Sequence, residues 1–68
     1  MREQLDSLIE EMVDKGIRYA DAQREFERRF IARVLDRQDG CLLKAAKVLG
    51  IHRNTLSRKL VEHRLKRR

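Results

Sequence analysis

Glycine occurs three times in this chain and proline never. Gly16, Gly40 and Gly50 each follow closely on a stretch whose apolar residues repeat at helical spacing. Glycine takes the left-handed conformation that ends a helix, so this punctuation reads as four helices joined by short turns. In the first segment, about 2–15, Leu5, Leu8, Ile9, Met12 and Val13 fall at i, i+3, i+4, i+7 and i+8, one amphipathic stripe. Glu11 and Lys15 are ordered for an i,i+4 pair. The second helix runs from about 19 or 20 to 37 or 38. Its stripe is Ala22, Phe26, Phe30 and Val34, widened by Tyr19, Ile31 and Leu35. Asp21 sits in its first turn, where the helix dipole favours an acid, and Glu25 can pair with Arg28 and Arg29. The third helix, Leu42 to Leu49, buries Leu43, Ala46 and Leu49 with Ala45 beside them. The fourth, about Arg53 to Arg64, turns Leu56, Leu60 and Val61 inward, and Lys66, Arg67 and Arg68 form a frayed basic tail.

The expected fold is therefore all-α. One domain over 1–68 divides into two longer helices (1–39), a helix-turn-helix (40–65) and the tail (66–68). At 68 residues the core is marginal. Chains below roughly 70–80 residues usually need a disulfide, a metal or a partner subunit. Cys41 is the only cysteine, and with His52 and His63 it completes the soft and imidazole ligands, so neither a disulfide nor a metal site is expected. Association of two copies is the route left. All three aromatics, Tyr19, Phe26 and Phe30, fall on the second helix and read as core. Two short helices cannot bury two wide apolar faces against each other alone. The remaining face fits a homodimer seam built from Leu5, Leu8, Ile9, Met12, Phe26 and Phe30.

Charge divides the chain more sharply than its total of +6. Residues 1–39 hold 8 Lys/Arg against 10 Asp/Glu, and residues 40–68 hold 9 against 1. The second half is an electrostatic footprint for a polyanion. It also has a physical reason for its spacing. Ala46 is small where one helix crosses another, and Gly50 allows a sharp turn with positive φ. Leu49, Ile51, Leu56 and Leu60 fill the space beneath. That is the spacing of a helix-turn-helix, whose second helix enters the major groove. Arg53, Asn54, Ser57 and Arg58 face outward from it as base readers. Arginine grips guanine O6 and N7 with two bonds, and asparagine does the same for adenine N6 and N7. Lys44, Lys47, His52, Thr55 and Lys59 suit phosphates. His52 also caps the fourth helix, whereas Cys41 stands where the third would want a polar cap.

Residues 40–60, GCLLKAAKVLGIHRNTLSRKL, resemble the C-terminal helix-turn-helix of the Fis family. The family includes nucleoid proteins and the DNA-binding domains of NtrC-type enhancer-binding activators. Ala45-Ala46, Leu49-Gly50-Ile51, Arg53-Asn54-Thr55-Leu56 and Lys59-Leu60 carry the likeness, which extends more loosely over the preceding helix. The resemblance implies an all-helical dimer joined through its N-terminal helices, with one recognition helix per subunit and sites partly read by DNA shape. It implies Arg53 as the principal base-contacting arginine. Thr55, Arg58 and Lys59 would be phosphate or base-edge contacts, and Lys44 a phosphate contact from the preceding helix. His52 and Asn54 stand where the nucleoid branch has asparagine and glycine, which brings this stretch closer to the activator branch. Leu42 and Leu43 replace polar phosphate contacts, and Val61 and Glu62 replace lysines.

No carboxylate pair or phosphate-cradling loop suggests an enzyme, a cofactor or a small-molecule substrate. No apolar run exceeds three residues, which leaves nothing to span a membrane, and the N-terminus lacks the apolar core of a signal peptide. A cytoplasmic, nucleoid-associated transcription regulator or DNA-bending factor is the expectation. Met1 and a complete leading helix favour a free-standing protein over the output domain of a larger activator. A protein-interaction adaptor without DNA affinity stays open as a reading of another class. RNA binding is disfavoured, since no aromatic lies in the basic half to stack on unpaired bases.

Overall fold

A computed structural model describes residues 1–66. Arg67 and Arg68, and with them most of the expected basic tail, lie outside the described residues. Four helices follow in order: α1 (Arg2–Asp14), α2 (Tyr19–Arg37), α3 (Leu42–Leu49) and α4 (Arg53–Glu62). Among the described residues there is no strand.

All four helices end the same way. A residue with positive φ follows the helix (Gly16, Asp39, Gly50 and Arg64). The next amide then donates back five residues: Ile17 to Met12, Gly40 to Leu35, Ile51 to Ala46, Leu65 to Leu60, at 2.8–3.1 Å. This Schellman closure satisfies carbonyls that a helix end leaves unpaired. Gly50 is needed for its φ of 71°, not for room, since a Cβ there would meet nothing within 4 Å. Ile51 and Leu65, which follow two of these turns, pack against the core.

The core is small and lies between the later turns of α2 and the helix-turn-helix, from Ile31 onward. Ile31 and Leu35 of α2 meet Ala45 and Ala46 of α3 and Leu56 and Leu60 of α4, with Val34, Leu42, Leu49, Ile51 and Leu65 half-buried around them. Leu56 is its fully buried large side chain.

Three expectations are corrected. On α3 the inward set is Leu42, Ala45, Ala46 and Leu49, and Leu43 is 56% exposed. The observed set has the i, i+3, i+4, i+7 spacing that one helix face requires, and Leu43 sits off that face. On α4, Val61 is 79% exposed, and the buried residue beyond Leu60 is His63. Leu56, Leu60 and His63 continue one face at i, i+4, i+7, which leaves Val61 outside it. On α2, Phe26 and Phe30 are 57% and 51% exposed, and Tyr19 is exposed too. They are not core of the subunit, because they lie off the face of α2 that carries Glu27, Ile31 and Leu35 and meets α3 and α4. Phe26 and Phe30 instead lie against each other, with ring centroids 5.5 Å apart.

α1 contributes no buried residue. Leu8 and Met12 face Phe26 and Phe30 across an open groove whose walls include Arg29 and Arg33. The expected surface pairs form, Lys15 with Glu11 at 3.3 Å and Arg29 with Glu25 at 2.6 Å. Such exposed i,i+4 pairs add a few tenths of a kcal/mol each.

Candidate nucleic-acid interface

α3, the Gly50 turn and α4 form a compact corner whose inner side is core and whose outer side is charged. Its inner side is fixed by Ala45 and Ala46, which carry little bulk and are both buried. Small side chains there allow α4 and α2 to approach α3 closely. The outer side then follows from helix geometry. With Leu56 and Leu60 inward, Arg53, Asn54 and Arg58 are exposed, and Ser57 and Thr55 are half-buried at the flanks.

The start of α4 has a specific cap. His52 precedes it in extended conformation, and its Nδ1 accepts the Asn54 amide at 3.0 Å. An imidazole that accepts at Nδ1 carries its proton at Nε2. The cap therefore holds the ring in one orientation with an N–H directed away from the helix. α3, as expected for Cys41, has no side-chain cap.

One shallow cleft gathers Lys44, Lys47, His52 and Arg53, with Leu43, Ala46 and Ile51 as its floor and rim. Four of the residues singled out from sequence thus converge where α3 meets the first turn of α4. Asn54 and Arg58 extend the same exposed side along α4. The positive end of the α4 dipole and the cationic side chains there make this the surface best suited to an anion.

Lys59 is placed differently. Its ammonium donates to Glu27 Oε1 of α2 at 2.8 Å. The other carboxylate oxygen of Glu27 accepts from Nε2 of His63 at 2.6 Å, and Glu62 Oε2 lies 3.4 Å from the same nitrogen. The His63 side chain is 1% exposed, and its Nδ1 is buried without a partner. Lys59, in first place, and then His63 hold the Glu27 carboxyl below its ordinary range. Sequence reasoning missed this cluster because its partners lie 32 and 36 positions apart. The available signal was His63 itself, seven residues after Leu56 on the buried face.

Glu27, Glu62 and His63 each offer a ligand atom, all within 4.8 Å of one another. Two features disfavour a divalent cation there. Lys59 already neutralises Glu27. A metal-bound imidazole normally donates its second N–H to an acceptor, and the buried Nδ1 has none. The arrangement instead ties α2 to the far end of α4.

Residues 22–63, more than half of the chain, match the family described as bacterial regulatory protein, Fis family. The chain belongs to the Fis family. Its helix-turn-helix is a DNA-binding regulatory domain of that family, and the match includes all but the first turn of α2 as well as α3 and α4. Neither a curated protein nor a solved structure gives a significant match. Among the described residues, no helix is long and apolar enough to cross a membrane.

Proposed function

We propose that this Fis-family domain acts as a homodimer on double-stranded DNA, with α4 in the major groove, to regulate transcription or shape DNA in the bacterial cytoplasm. The observation that carries the reading is the cleft at the α3–α4 corner, where Lys44, Lys47, His52 and Arg53 converge. Residues at the start of a recognition helix reach deepest into a groove. In this reading Arg53, Asn54, Ser57 and Arg58 meet base edges. Lys44, Lys47, His52 (through its outward Nε2–H) and Thr55 meet phosphates.

The homodimer rests on the exposed apolar face. Leu5, Leu8, Ile9, Phe26 and Phe30 are all exposed large hydrophobics, and Met12 is half-buried beside them. A monomer rarely leaves so continuous an apolar face in water. A second copy laid on the groove between α1 and α2 covers it and sets two α4 helices for neighbouring grooves.

The test is fluorescence anisotropy of AT-rich and random duplexes across a salt series, with Arg53→Ala alongside. Affinity should fall steeply with salt as counterions return to the phosphates. Arg53→Ala should cost about 1–3 kcal/mol and relax sequence preference. Equal weakening on both duplexes removes Arg53 from base reading. No duplex binding at low salt turns the reading to a protein-interaction adaptor.

A further inference from the structure

We propose that Glu27 is an internal counter-ion that competes with DNA phosphate for Lys59 and so keeps this lysine largely out of the phosphate-contact set. The inference rests on the DNA-binding reading above and concerns which cations that reading can count.

Lys59 stands on the flank of α4, between the buried face of Leu56 and Leu60 and the exposed face of Asn54 and Arg58. From a flank, a four-carbon stem can swing outward to a phosphate or inward to α2. The structure records the inward choice, and three observations explain its hold. The Nζ–Oε1 distance is 2.8 Å, and both partners are about two-thirds buried, so water screens the pair less than an exposed one. Lys59 lines one apolar groove together with Phe26, Phe30, Ile31, Leu49 and Ile51. Glu27 cannot follow Lys59 outward, because its second oxygen is fixed by the buried His63. His63 is in turn held by its place in the interior next to Leu60. The carboxylate is thus a stationary anion, and a phosphate can take Lys59 only by displacing it.

The acidic partner also comes from the helix of the proposed dimer seam. Glu27 lies between Phe26 and the later core residues of α2, so one side chain links the helix that joins subunits to the helix that reads DNA. Lys44 and Lys47 form no ion pair among those described, whereas Lys59 does, so lysines of equal formal charge are unequal toward a polyanion.

The experiment is the salt dependence of duplex binding for the wild type, Glu27→Gln, Lys59→Gln and the double variant, with Lys47→Gln as the reference cation. Each phosphate newly neutralised steepens the log–log slope by about 0.9. Glu27→Gln should steepen the slope by up to that amount. Over a fourfold rise in salt it then loses up to about 3.5-fold more affinity than the wild type. Lys59→Gln should flatten the wild-type slope by less than half of what Lys47→Gln removes, yet flatten the Glu27→Gln slope by as much as Lys47→Gln does. Circular dichroism checks that each variant is folded. Glu62 stays within reach of His63 in Glu27→Gln. Equal effects of Lys59→Gln and Lys47→Gln in the wild-type background overturn the proposal, and this arm decides even if Glu27→Gln fails to fold. An unchanged slope in folded Glu27→Gln overturns it too. A wild type that binds no duplex overturns the DNA reading and this inference together, which separates the two failures.

Discussion

α2 passes through two different environments. One face places Ile31 and Leu35 in the core against α3 and α4, whereas the adjacent face holds Phe26 and Phe30 half in water. Both faces belong to one helix and both carry large apolar residues. What differs is the opposing surface. Ala45 and Ala46 let α3 come close enough to exclude water, while α1 offers only Leu8 and Met12 across a groove. Apolar content thus states how much surface a helix could bury, and the size of the facing residues decides how much it does. The helix-turn-helix half is a packed core, whereas the N-terminal half leaves its apolar face open.

The strongest way to break this comparison is to remove one large residue from each half. Leu56→Ala should destabilise the subunit by about 2–5 kcal/mol in urea unfolding, because it leaves a cavity in a fully packed site. Leu8→Ala, measured at a dilution where subunits are separate, should change stability by no more than about 0.5 kcal/mol. Comparable losses from both would mean that α1 is part of the subunit core. Next in size, Phe30→Asp should leave the separate subunit folded but weaken self-association by at least about 2 kcal/mol, roughly 30-fold in Kd. Sedimentation equilibrium measures this, and an unchanged Kd would move the seam elsewhere.

A smaller effect sharpens the link between the halves. Glu27 is held below its ordinary value of 4.5 by Lys59 and His63. A lowered carboxyl pKa means that the folded state binds the proton less tightly than the unfolded chain, so it adds stability that is fully present above about pH 4.5. The benefit is lost as pH falls through the lowered folded value. The wild type should therefore exceed Glu27→Gln in stability at neutral pH, and the gap should close on acidification. A gap constant from neutral to acid pH would assign it to packing alone. Smallest of all, Gly50→Ala should cost about 1 kcal/mol and Arg64→Gly should add about 0.5–1 kcal/mol, since both positions have positive φ and only one holds glycine. Urea midpoints of the two variants moving in the same direction would count against this account of the turns.

Much of this fold is legible in the sequence because its signals are local. The glycines mark turns, α3 spans Leu42 to Leu49 as expected, and α2 spans Tyr19 to Arg37. His52 caps α4. At the candidate interface, helical period alone places Arg53, Asn54 and Arg58 on the exposed side of α4, opposite Leu56 and Leu60. The misreadings arise where the answer depends on another element. Phe26 and Phe30 have the period of a core stripe, but nothing in their own segment tells which face of α2 the helix-turn-helix covers. The Glu27 cluster is set by packing of α2 on α4, and no spacing within either helix encodes it.

The absence of any buried residue in α1 makes abundance a structural variable. In the dimer proposed above, α1 docks fully only when a second subunit arrives, so dilution loosens the N-terminal half while the reader half stays intact. A duplex that seats two readers side by side raises their effective concentration to the order of millimolar. Scarce protein would then assemble on its site, and plentiful protein would arrive already paired, with the same chain following either order according to its amount.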